Sequence, residues 1–297
     1  MFFMPYYLFG DQEHYRLFYK IISTYDLLEG FVAYRNYLGA NDPVYYILVY
    51  GLSNHIEKDL LFSIVNGFFG FYVSRNLLNL KISPFILYPF LINFYFVVLL
   101  LAAERLKVSL LFFSIALIST KEFKHYLFIF LSSLAHLQTL LLVYVLKYRI
   151  IKNEIIKNFI RGNTFKLLVI FAVVITFFLI IFVMREYLMD KVNSYSEKGG
   201  WSNIIKPMMF CLLTIYYAKN KWYEIFSVFF PLIISSFLIG EERIVIFCYM
   251  VFLYHALKIN KGFNFGVILT HIYFGYKGID FLINTINNGS GFDNIYI

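Results

Sequence analysis

Charged residues make up only 15% of this 297-residue chain, too few to coat a soluble globule, which carries about 25%. Cysteine is nearly absent: Cys211 and Cys248 both lie inside apolar runs. That argues against a disulfide framework and a thiolate metal site, and for small buried side chains. No Walker loop, Rossmann fingerprint, nucleophile elbow or metal-ligand cluster occurs, which disfavours soluble nucleotide chemistry and implies no metal or cofactor. No Ser/Pro-rich linker, low-complexity tract or repeat is present either, so residues 1–297 read as one domain. The N-terminus lacks the basic start and small-residue cleavage site of a signal peptide. Its apolar part, Met1 to Phe9, is too short for a span of ~20 residues. The chain therefore begins outside the membrane core, or a first helix precedes this start.

What the chain does have is apolar and aromatic surface. Hydrophobic residues reach 60%, aromatic ones 22%, and the mean hydropathy is +0.69. These values define an integral membrane protein. The net charge of +8 does not point to nucleic acid, because the basic residues gather at the ends of apolar segments. There they set orientation or meet anionic head groups.

A membrane helix must satisfy its backbone internally, so long apolar runs read as spans. About eight qualify, at roughly 60–80, 84–103, 106–119, 166–188, 204–218, 223–239, 244–257 and 265–285. The expected fold is an all-α polytopic transmembrane bundle, with 1–58 a polar or amphipathic segment on the outer side and 59–297 the bundle. The positive-inside rule places the loop from Lys147 to Lys166 in the cytoplasm, where Lys147, Arg149, Lys152, Lys157, Arg161 and Lys166 oppose only Glu154. Stretch 126–147 has basic loops at both ends, and so reads as two short re-entrant helices with "SSLAHLQT" at the tip.

With this topology ionisable residues converge on the outer face. Glu104, Arg105 and Lys107 fall at one hairpin tip, Glu241, Glu242 and Arg243 at another, and Asp11, Glu13, His14, Arg35 and Asp42 precede the bundle. "AAERLKV" and "GEERIVI" repeat the order acid, Arg, apolar run. Salt bridging between the tips is one reading. An anion site is preferred, since guanidinium forks match phosphate oxygens. His136 stands among apolar residues, as a hydrogen-bonded neutral imidazole or as a base. Asp11, Asp42, Glu104, Glu241 and Glu242 are candidate general bases that spacing alone does not separate. Trp201 and many Tyr fit an interfacial belt; Tyr37, Tyr45, Tyr46 and Tyr195 are candidates for stacking on sugar.

Six stretches occur in order: "GDQEHYRLFY", "GANDPVYYIL", "AAERLKVSL", "FIFLSSLAHLQTLLL", "KVNSYSEKG" and "ERIVIFCYMV". Together the chain resembles the EpsG-like branch of the Wzy-type oligosaccharide repeat-unit polymerases. It departs from the family's pattern in lacking the helix that usually precedes the GD stretch, and in the residues flanking Arg105. The resemblance implies a GT-C-like membrane glycosyltransferase in the bacterial inner membrane, with its site facing the periplasm or exterior. Its reaction would polymerise undecaprenyl-diphosphate-linked repeat units into O-antigen, capsule or exopolysaccharide, inverting and without metal. Lipid-linked glycans would serve as donor and acceptor, and a separate chain-length regulator is an expected partner.

Displacing a sugar from a diphosphate builds negative charge on the leaving group, which cations must meet. Arg105 and Arg243 are the expected diphosphate ligands, with Arg35 and Lys191 holding the second diphosphate or the sugar chain. Asp42 and His136 stand first as base, ahead of Glu104 and Glu242. Two other classes remain: a flippase or transporter of lipid-linked oligosaccharide, which calls for charges on both halves of a cavity and usually a repeat, and a membrane acyltransferase, which calls for a His paired with an acid.

Overall fold

The computed structural model describes residues 3–162, 201–240 and 243–292, and among them every regular element is a helix. The expected all-α fold is what the chain adopts. The described residues fall into two compact units, one built from 3–140 with 257–292, the other from 141–256.

The first unit opens with α1 (Asp11–Ile21), α2 (Leu27–Leu38) and α3 (Pro43–Leu52). Tyr15, Phe18, Tyr19 and Ile22 recur three and four residues apart on and just beyond α1, so one stripe is apolar. That stripe is buried with Tyr34, Tyr45, Tyr46, Val49, Leu61, Phe62 and Val65 in one core. The aromatic faces of the helices within residues 3–58 make much of this unit's interior. α4 (Lys58–Asn79) follows, then α5 (Pro84–Leu91), α6 (Phe94–Leu101), α7 (Glu104–Ile118) and α8 (Glu122–Ala135). α7 packs along both α4 and α8. The unit closes with α13 (Phe265–Asn288), which lies against α5 and α6. The backbone N–H groups of Leu8 and Phe9 donate to the Gly289 carbonyl at 2.8 and 3.0 Å, tying the start of the chain to the end of α13.

The expected span 84–103 is not one rod. α5 and α6 meet at a bend of 51°. Pro89 removes a donor inside α5, and the Asn93 side chain accepts from the Tyr95 N–H at 3.0 Å, starting a new helix. Stretch 126–147 is also interrupted. α8 ends at His136, whose backbone is extended (φ −164°, ψ 115°), and a short 3-10 turn, Leu137–Thr139, leads to α9 (Leu140–Ile160).

The second unit holds most of α9 with α10 (Ile205–Ala218), α11 (Trp222–Ile239) and α12 (Ile244–Ala256). Phe210 on α10 meets Tyr249 and Phe252 on α12 at 5.5 and 5.9 Å between ring centres. Phe229 and Leu232 of α11 are fully buried. Among the described residues no single helix is long and apolar enough to cross a membrane; the bent pair α5–α6 is, taken together. The expected span 166–188 lies outside the described residues.

Candidate functional site

The first unit carries a buried constellation of charged and polar side chains, drawn from α1, α2, the start of α3, α4, α7 and the break after α8. Asp42 sits at the N-cap of α3 ahead of Pro43, but its carboxylate makes no bond to the helix end. It turns inward instead. Arg105 Nη1 donates to Asp42 Oδ2 at 2.9 Å, and Arg105 Nε donates to the Tyr15 hydroxyl at 2.9 Å. His136 Nδ1 lies 3.6 Å from the same Asp42 oxygen, and the Tyr34 hydroxyl donates to it at 3.4 Å. Asp42, Arg105 and His136 are only 6%, 8% and 6% exposed, so little solvent screens them.

His136 reaches this place because the helix breaks there. Its Nε2 is 3.1 Å from Gln138 Oε1. A proton belongs on Nδ1, because a lone pair there would face a carboxylate. Beside it, Ser109 Oγ, buried on α7, donates to the Ser132 carbonyl at 2.6 Å and shares a hydrogen bond with Thr139 Oγ1 at 2.5 Å. These bonds fasten α7 to both sides of the break.

The neighbouring residue, Glu104, opens α7, where the helix dipole favours an acid. Lys58 Nζ donates to Glu104 Oε1 at 2.5 Å and to Gln12 Oε1 at 2.6 Å. Gln12 passes the chain on to the Leu101 carbonyl at 2.8 Å, and the Tyr45 hydroxyl donates to Glu104 Oε2 at 2.8 Å. One turn along α7, Lys107 is fully buried, donating to the Leu100 carbonyl at 2.8 Å with its ammonium 5.0 Å from the centre of the Phe62 ring. Buried charges persist only when paired and hydrogen-bonded.

Asp42 shows how pairing decides its state. Burial alone pushes its carboxyl up, but the nearby His136 imidazole and the hydrogen-bonded Arg105 guanidinium outweigh burial and hold it below its ordinary value of 3.8. It is therefore a carboxylate at neutral pH and a weak base. Its geometry suits it to orient His136 rather than to take a proton itself.

Of the residues singled out in the sequence, Asp42, Glu104, Arg105, His136 and Tyr45 come together here. Tyr45 is only 1% exposed and rings pack against it from Tyr15, Tyr34 and Phe62; it offers a sugar no open face in this arrangement. Arg35 is exposed on α2, apart from the cluster. Arg243 stands ahead of α12 in the second unit. Glu242, Lys191 and Tyr195 lie outside the described residues. Sequence reasoning missed Gln12, Tyr15, Tyr34 and Lys58. Gln12 and Tyr15 lie within the stretch GDQEHYRLFY, where they went unremarked, and Lys58 at the head of α4 looks like an ordinary helix start. Among the described residues no three His, Cys, Asp or Glu side chains gather closely enough to hold a metal ion.

No protein-family model, curated protein or solved structure matches this chain.

Proposed function

We propose that the chain is a polytopic membrane glycosyltransferase that joins polyprenyl-diphosphate-linked repeat units into a surface polysaccharide. The observation that carries this reading is the meeting of four stretches behind the resemblance. Gln12 and Tyr15, Asp42 and Tyr45, Glu104 and Arg105, and His136 all belong to one buried network, although they are scattered between residues 12 and 136.

In this mechanism Arg105 and Tyr34 hold Asp42, and Asp42 holds the Nδ1–H of His136. With the Gln138 amide turned to follow substrate, His136 Nε2 accepts the proton of the acceptor hydroxyl. The hydroxyl oxygen bonds to the donor's anomeric carbon, and the bond from that carbon to the diphosphate oxygen breaks. The diphosphate leaves with the electron pair. Arg105 takes a different part from the one expected in the sequence: committed to Asp42 and Tyr15, it would have to release Asp42 to grip a diphosphate.

A second reading, a membrane acyltransferase modifying the same polysaccharide, is favoured by the His136–Asp42 approach at 3.6 Å, since an imidazole oriented by an acid also activates a hydroxyl for acyl transfer. Deletion of the gene, complemented with wild type or His136→Ala, separates the two. Single repeat units on lipid in both the deletion and the variant support polymerase. Unchanged glycan length with lost acylation supports the second reading. Loss of all outward-facing repeat units, including single ones, would point to a flippase and overturn both.

A further inference from the structure

The basic half of α9 has no part in the proposed site. α9 is apolar from Leu140 to Leu146 and changes character at Lys147. From there to Ile160 it runs for roughly 20 Å at the α-helical rise. A membrane-facing topology accounts for the lysines and arginines along it, but not for the isoleucines among them. Ile155, Ile156 and Ile160 are all exposed, Ile160 at 78%.

One face of this segment has the form of a site. A shallow, open depression is lined by Asn153, Ile156, Lys157, Ile160 and Arg161, and positions three and four apart share a stripe on a helix. Lys157 and Arg161 stand four residues apart, an arrangement in which like charges repel. Glu154 Oε1, 3.6 Å from Lys157 Nζ, is an exposed counter-charge of the kind that contributes little. Lys152 is engaged by Glu224 on α11 at 3.5 Å, which leaves Lys157 and Arg161 as the cations of this hollow.

We propose that this face binds the headgroup of an anionic phospholipid, with the phosphate between Lys157 and Arg161 and the start of the acyl chains on Ile156 and Ile160. A phosphate relieves the repulsion between the two cations, and the chains cover apolar surface that water otherwise meets. A free phosphate ion would answer the cations alone. A zwitterionic lipid would answer the isoleucines and leave the cations partly unpaired. The inference does not rest on glycosyl transfer and stands or falls separately.

The test uses the purified full-length protein in detergent, titrated with short-chain phosphatidylglycerol, short-chain phosphatidylcholine and inorganic phosphate. Binding is read as a shift in thermal midpoint and as displacement of a fluorescent phosphatidylglycerol. Phosphatidylglycerol should bind at least ten-fold more tightly than phosphatidylcholine. Lys157→Gln with Arg161→Gln should erase that preference, and Ile156→Ser with Ile160→Ser should weaken both lipids. Lys121→Gln with Lys124→Gln, exposed in the other unit, should leave it intact. Equal binding of the two lipids, an unchanged preference in the Lys157 and Arg161 variant, or displacement of the probe by phosphate as effective as by lipid would each overturn the proposal.

Discussion

Asp42 occupies a position where aspartate ordinarily caps a helix, yet it gives up that bond for Arg105 and His136. Removing one partner of a buried pair leaves a charge with neither solvent nor counter-ion. Arg105→Ala should therefore destabilise the protein by roughly 3–5 kcal/mol, and Asp42→Asn, which leaves the buried Arg105 guanidinium without its counter-ion, should also destabilise it and abolish polymer. Thermal unfolding in detergent alongside the glycan ladder checks both; an Arg105→Ala protein as stable as wild type would show that the pair is not buried as described. The same carboxylate sets a pH dependence. Its folded pKa lies below the unfolded value, so its contribution is fully present above about pH 4 and is lost as pH falls through the folded pKa. Acid titration of stability should fall more steeply for wild type than for Asp42→Asn in that window. Superimposable curves would remove Asp42 from the account.

At the scale of elements, the bend between α5 and α6 depends on how closely α13 approaches it. A Cβ on Gly278 would lie 2.0 Å from the Ile92 carbonyl oxygen and 3.0 Å from the Phe94 nitrogen, both backbone atoms that cannot step aside. Gly278→Ala should thus push α13 off the bend and cost about 1–3 kcal/mol. Gly67, in the middle of α4, has open space where its Cβ would stand. There alanine should gain roughly 0.5–1 kcal/mol, because helical glycine loses more backbone freedom on folding. Opposite shifts in melting temperature for the two variants are the expected result. A neutral Gly278→Ala would mean that α13 and the bend are not in contact.

At the scale of the whole molecule, the membrane reading rests on composition and on apolar helices that are short or bent. α3, α11 and α12 are apolar but contain only 10, 18 and 13 residues. A helix spanning ~30 Å of hydrocarbon takes about 20 residues, and shorter ones need neighbours or local thinning of the bilayer. The exposed aromatic and aliphatic side chains along α4, α11 and α13, among them Phe68, Phe71, Phe226, Phe230, Ile272 and Tyr276, are what lipid would cover. The protein should stay with the membrane pellet after an alkaline carbonate wash and come away only in detergent. Recovery in the wash supernatant would overturn the membrane reading and, with it, the transferase.

The all-helical architecture and most helix positions were legible along the chain, because they depend on residues a few places apart. Runs expected at 106–119 and 244–257 correspond to Glu104–Ile118 and Ile244–Ala256, since an apolar run bounded by polar residues marks a helix without reference to the rest of the fold. The run expected at 84–103 forms two helices that meet at a bend. Its break depends on Pro89, on the Asn93 cap and on contact with Gly278, the last far away in sequence. The candidate site divides in the same way. Asp42, Glu104, Arg105 and His136 could be noticed as ionisable residues in apolar surroundings, but Arg105 finds Asp42 63 positions away and Tyr15 90 positions away. Only the packing of α1, α3, α4 and α7 chose those partners, because a buried charge is stabilised by whatever counter-charge the fold brings within hydrogen-bond reach, and no local pattern records which one that is.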